Sequence, residues 1–142
     1  MIHFLDSSAL VKRYIKESGT EKIRVLFGGR KEICASRLAE VEVSAALARR
    51  SRKGDMSIEE AQRHQRQLLA DLSELRLVEV RPPVLQLANE LIWQRALRAY
   101  DALQLASALR LRQATRLSVT FWCADQILCD AAVKEGLRVQ RT

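Results

Sequence analysis

Four acids in this 142-residue chain occupy positions where a carboxylate needs a reason: Asp6, Glu42, Asp101 and Asp125. Asp101 is the most demanding. Residues 97–109 read as helix, without Gly or Pro and rich in strong helix formers. Leu97, Asp101, Leu105 and Leu109 recur every fourth residue and share one stripe, apolar except for Asp101. An unpaired anion on a core-facing stripe is costly, so a basic partner, a proton or a cation must meet it. Arg95, Arg98 and Arg110 do not fall on that stripe, and a capping role is unavailable in mid-helix. Asp6 closes the first apolar run and Asp125 follows a later one, the strand ends where open α/β sheets bind ligands. Either acid alone also suits a plain helix N-cap. Glu42 lies in a helix with Leu38, Ala39, Ala45 and Ala46 as its neighbours, small enough to let a ligand approach. Its rival Glu40 points about 160° away around the axis. Brought together, such acids repel and raise one another's pKa. A hard divalent cation, Mg²⁺ or Mn²⁺, resolves the conflict, and with a basic surface beside it suits phosphodiester hydrolysis. His3 and His64 stand alone and offer no zinc site.

The elements that must position these acids alternate. Residues 1–5 read as a buried parallel strand, and Asp6-Ser7-Ser8 as the turn into a helix over 9–15. Thr20 opens a short helix closed by Gly28-Gly29, and residues 33–35 form a second strand. A helix over 37–53 ends in a basic cluster before Gly54. Ser57 and Glu60 have capping-box spacing and start a helix to about residue 75. Residues 77–80 form a third strand stopped by Pro82-Pro83, followed by a helix over 84–97 and then the Asp101 helix. Residues 117–123 make a fourth strand, 127–135 a helix, and 137–139 a last short strand. Strands and helices in this order imply one α/β domain spanning 1–142, with a parallel sheet and right-handed crossovers.

Composition narrows the partners. The chain is 48% hydrophobic and 29% charged, which excludes a disordered polymer, and it carries a formal charge of +7. That excess favours a polyanion such as nucleic acid, or an acidic protein, over a neutral ligand. Lys12 and Arg13, just beyond Asp6, and Arg49, Arg50, Arg52 and Lys53 are the candidate RNA-backbone contacts; the competing reading is a solvated basic face. Cys34, Cys123 and Cys129 lack metal-site spacing and read as reduced, mostly buried thiols of a cytoplasmic protein. No signal-peptide pattern and no run of about 18 apolar residues is present, so no membrane span is expected.

Taken in order, Phe4-Leu5-Asp6-Ser7-Ser8-Ala9-Leu10-Val11-Lys12, Ser36 through Glu42, Leu97 through Ala106, and Ala124-Asp125-Gln126-Ile127-Leu128 resemble a PIN domain of the VapC toxin type. The resemblance covers nearly the whole chain. It implies a three-layer α/β/α sandwich around about five parallel strands and a metal-dependent endoribonuclease. It places the family's acids on Asp6, Glu42, Asp101 and Asp125, and the spacing from Ser36 selects Glu42 over Glu40. Ser7 or Ser8 would orient Asp6 or a water. It further implies cleavage to a 5′-phosphate and a 3′-hydroxyl, a homodimer, and a small antitoxin that inserts a tail, often with an Arg, into the acidic site. Cys123 departs from the Thr or Ser usual two positions before the fourth acid, and a thiol is a poorer hydrogen bonder. Trp122 beside it is also bulkier than the resemblance leads one to expect. Three other readings compete. One is a housekeeping RNA-processing nuclease, and another is a non-catalytic RNA-binding module. The third is a phosphatase with Asp6 as nucleophile, weakened because Ser8 stands where a second acid would be needed.

Overall fold

The structure, a computed structural model, describes residues 1–142. Five parallel strands form its centre: β1 (Ile2–Leu5), β2 (Glu32–Ser36), β3 (Arg76–Val78), β4 (Val119–Cys123) and β5 (Arg138–Arg141), in the order β3-β2-β1-β4-β5. From β1 the chain first builds outward to β3, then crosses to β4 on the other side. The sheet therefore changes direction between β1 and β4, where open α/β folds leave a crevice at the carboxyl ends. Asp6 and Asp125 follow those two strands.

Strand alternation divides the core. Ile2, Phe4, Cys34, Val119, Phe121 and Cys123 face α5 (Pro82–Arg95), α6 (Ala99–Thr115) and α7 (Gln126–Lys134). Leu5, Ile33 and Ala35 face α1 (Ser7–Leu10), α2 (Thr20–Gly28), α3 (Ala39–Arg52) and α4 (Ile58–Glu74). Phe4 and Phe121 stack on neighbouring strands, with centroids 5.7 Å apart. The three-layer sandwich expected from sequence is present. Pro82 and Pro83 open α5, because proline lacks the N–H that a first helical turn leaves unpaired, whereas β3 already ends at Val78, short of the prolines expected to stop it. Ser57 caps α4, its hydroxyl accepting from the Glu60 N–H at 3.1 Å.

Several boundaries move. The first helix is shorter than its pattern: α1 tightens into a 3₁₀ turn over Val11–Arg13. Helix α5 ends at Arg95, where Ala96 adopts a left-handed conformation (φ 52°) and turns the chain. Leu97 is buried in that connection and outside any helix, so the stripe read through Leu97 and Asp101 does not exist. Asp101 instead occupies the first turn of α6.

Two polar anchors hold α1 and the 3₁₀ turn to the rest of the fold. Lys12, expected to reach RNA, is 6% exposed; its ammonium donates to the Ser18 carbonyl at 2.5 Å and lies 3.5 Å from Glu17. Arg13 also turns inward. Its guanidinium donates to Asp71 on α4 at 2.6 and 3.3 Å and packs over the Phe27 ring. Asp71 accepts as well from Tyr14 at 2.7 Å and Gln67 at 2.9 Å. Burial pushes the Asp71 pKa up, but these donors together hold it below its ordinary value. Asp71→Ala should therefore lower unfolding stability by about 3 kcal/mol, because it leaves a partly buried guanidinium and phenol unpaired. A chemical denaturation series checks this.

Candidate active site

Four elements deliver one acid each to a single cleft of about 440 Å³ at the carboxyl end of the sheet. Asp6 caps α1: its Oδ1 accepts from the Ala9 N–H at 2.8 Å, and the Ser8 hydroxyl approaches both carboxylate oxygens at 2.7 and 2.9 Å. Ser8 Oγ also accepts from the Ala124 N–H at 2.9 Å, tying the end of β1 to the residue before Asp125. Asp125 caps α7 through Oδ1, which accepts from the Leu128 N–H at 2.9 Å. The capping reading holds for both aspartates, and both also line the cleft.

Glu42 lies in the first turn of α3, and its Oε1 accepts from the Gln104 amide at 2.9 Å. Asp101 accepts from the Arg98 guanidinium at 3.0 Å. Arg98, which the sequence pattern places off the stripe, reaches Asp101 because the pair spans three residues at the start of α6. Its side chain is 81% exposed, so the ion pair is open to solvent and weakly held.

Electrostatics distinguish Asp6 from the others. It is 3% exposed and no basic side chain reaches it. Burial raises its pKa to about 7; the Ser8 and Ala9 hydrogen bonds pull it back, and the charges of Asp101 and Glu42 add to the rise. Burial likewise lifts Glu42, opposed by the Gln104 and Ser7 hydrogen bonds and reinforced by Asp101. The expected repulsion among acids is present, but desolvation is the larger cause.

The cleft lining is also basic. Arg49, Arg50 and Lys53, from the last turn of α3 and its C-cap, line it beyond Glu42, and Arg98 lines it beside Asp101. Arg50 is already engaged by Glu17 at 3.2 Å and lies 3.7 Å from Asp55. Arg52 points to a different groove, between α3 and α4, so Lys12, Arg13 and Arg52 are not brought to the site. No three of the His, Cys, Asp or Glu side chains stand close enough together to ligate one ion. Each carboxylate is drawn toward a donor on its own element or on α6, which holds the four around the cleft instead of at its centre.

The sequence matches the PIN-domain family over residues 3–121. It is also 36% identical over 136 residues to ribonuclease VapC45 of Mycobacterium tuberculosis, covering 96% of this chain and 92% of that protein. The chain belongs to the PIN-domain family. Among solved structures, M. tuberculosis VapC20, described as a sarcin–ricin loop cleaving toxin, superposes with a TM-score of 0.69 at 15% identity over 99% of both chains. VapBC2 of Rickettsia felis, solved bound to a DNA fragment from its promoter, gives 0.65 at 16% identity, covering 100% of this chain and 99% of that one. At such identities the superpositions establish the PIN fold.

Two residues of this PIN cleft do not stand out in the sequence. Glu17 lines it between Lys12 and Arg50. Gln104 is 2% exposed, three residues after Asp101 and hence on the same side of α6. A lone amide in an apolar run at that spacing is the available signal. Cys123 and Cys129, expected as separate thiols, are joined as a disulfide, and Cys34 stays free and buried. The end of β4 and the second turn of α7 bring the two sulfurs together on the same buried side, a proximity that six intervening positions in sequence do not reveal.

Proposed function

We propose that this chain is a metal-dependent endoribonuclease and the toxin of a toxin–antitoxin pair, with Asp6, Glu42, Asp101 and Asp125 holding Mg²⁺ or Mn²⁺. The observation that carries the reading is Asp6, a buried carboxylate without a basic partner, repelled by two other acids in one cleft. The donor set is all oxygen and anionic, which fits a hard dication and no softer metal. Similarity to ribonuclease VapC45 supports the nuclease class and RNA as substrate, and similarity to VapBC2 supports an antitoxin partner. When bound, the cation supplies Lewis acidity to the phosphodiester and a lower pKa for water.

The chain's own groups do the rest. Arg49 and Lys53, which line the same cleft as the acids, hold RNA phosphates and fix the register of the strand. Glu42, lifted by burial, accepts the proton of the attacking water at its carboxylate. Ser7, hydrogen-bonded on the same side, orients that water, and Ser8 fixes Asp6. In-line attack forms the new P–O bond as the P–O3′ bond breaks, leaving a 5′-phosphate, and the departing 3′-oxygen takes up a proton from water to become the 3′-hydroxyl. The basic tail of an antitoxin would satisfy the same acids, and a homodimer would set two such clefts side by side.

One observation favours the non-catalytic RNA-binding reading: Asp101 has a basic partner in Arg98. Cleavage of a structured RNA mixture with Mn²⁺, Mg²⁺ or EDTA, by wild-type protein and by Asp101→Asn, separates the two. The nuclease reading expects cleavage that requires metal and falls about 10³-fold in the variant. Cleavage that survives Asp101→Asn, or RNA binding without cleavage by antitoxin-free protein across a broad RNA pool, overturns it.

A further inference from the structure

Gln104 is buried among apolar residues of α6, and its Oε1 has no hydrogen-bond partner. An apolar side chain of the same length would fill that space without an orphaned carbonyl, so packing does not explain the amide. Its Nε2 does. One hydrogen goes to Glu42 Oε1 at 2.9 Å and the other to Ser7 Oγ at 2.9 Å. The orientation of the amide is fixed by the carboxylate, which can only accept. Because Ser7 accepts from Gln104, its own proton is left to donate to the Glu42 carboxylate. A single neutral group on α6 thus joins α1 to α3 at their two site residues.

Neutrality is the point. An arginine at position 104 would hold Glu42 in place but cancel the charge a cation needs. An amide holds the carboxylate and leaves its charge intact. Arg98, the corresponding partner of Asp101, is at the surface and easily displaced, whereas Gln104 is enclosed.

We propose that Gln104 is a positioning residue that acts through Glu42, orienting its carboxylate toward a bound divalent cation and setting Ser7 as a donor. This rests on the metal-site reading above. The test uses metal-stripped, full-length wild-type, Gln104→Met, Glu42→Ala and the double variant, with Mn²⁺ binding followed by electron paramagnetic resonance and melting temperature measured in parallel. Gln104→Met should weaken Mn²⁺ binding about tenfold, the size typical of removing a partner behind a metal ligand, with melting within a few degrees of wild type. In the Glu42→Ala background the same substitution should change Mn²⁺ affinity less than twofold, because interacting residues are not additive. A merely structural glutamine would move the melting temperature and leave Mn²⁺ affinity alone, which overturns the proposal. Equal losses in both backgrounds overturn it too. If wild type binds no Mn²⁺, the metal reading itself fails and takes this one with it. Should Gln104→Met not fold, NMR of the wild type decides. The Gln104 side-chain amide pair should resist hydrogen exchange and shift on Mg²⁺ titration, and an unshifted pair refutes the assignment.

Discussion

Asp6→Asn should cut RNA cleavage by about 10³-fold and, in the same protein without metal, raise its melting temperature at pH 8. The two effects share a cause. Asp6 is enclosed by the end of β1, the first turn of α1 and the turn after β4, and its pKa rises to about 7 against an ordinary 3.8. The folded chain therefore binds a proton between about pH 4 and 7 that the unfolded chain has released. The stability contributed by this group is fully present below pH 4 and is lost as pH rises through 7. Above that, the ionised carboxylate costs on the order of 4 kcal/mol. Asparagine removes the charge while its carbonyl still accepts from the Ala9 N–H. The expected gain is on the order of 10 °C at pH 8 in EDTA, shrinking to a few degrees at pH 5, where wild-type Asp6 is protonated. Millimolar Mg²⁺ should stabilise wild type at pH 8 and leave the variant unmoved. Thermal melts at the two pH values, with and without Mg²⁺, read all of this. A variant that melts lower than wild type at pH 8 would show that Asp6 stabilises the fold as an anion, and the metal reading would fail.

That trade of stability for charge explains which parts of the molecule can be read from its sequence. Elements set by local pattern are legible: the alternation in β1 and β4 that sends Phe4 and Phe121 to one face, the Ser57 cap, and the basic end of α3. The four acids are legible as well, because a carboxylate at a strand end or beside small helical residues contradicts its surroundings. What fails are inferences that need a third dimension. The Asp101 stripe assumes a helix continuous through Leu97, but Ala96 ends the preceding helix in a left-handed turn, which alanine does not advertise. Asp101 then falls in a first turn, where Arg98 reaches it.

The basic residues fail for a related reason. Charge composition does not say where a side chain points. Lys12 and Arg13 follow Asp6 by about two turns, yet the tightening of α1 into a 3₁₀ turn rotates both inward, to the Ser18 carbonyl and to Asp71. Those partners lie 6 and 58 residues away, the second beyond any local pattern. Gln104 shows in the sequence only as a lone amide in an apolar run, because its meaning depends on Ser7 and Glu42, 97 and 62 residues distant. The chain's own polar groups thus settle which of its cations remain for a ligand. On the cleft rim, Arg50 is committed to Glu17, leaving Arg49 and Lys53.

A double variant, Arg49→Glu with Lys53→Glu, should consequently weaken RNA cleavage far more than its change in net charge warrants. Both side chains line the cleft that holds the acids, at the end of α3 away from Glu42. Removing one cation that neutralises a phosphate should flatten the dependence of log affinity on log salt by about 0.7 for a single strand, so removing two should flatten it by about 1.4. Repulsion from the new carboxylates adds to the effect, and kcat/KM should fall about 10²-fold near physiological salt, mostly through KM, since neither residue touches the reacting phosphorus. Arg52→Glu makes the sensible control. It reverses one charge on the same helix turn but faces the groove between α3 and α4, and it should change kcat/KM less than about threefold. Cleavage kinetics and binding across a salt series distinguish the cases. Equal effects per charge from all three positions would mean that RNA feels only the net charge of the chain; a selective effect from Arg49 and Lys53 would trace the strand's path past the four acids.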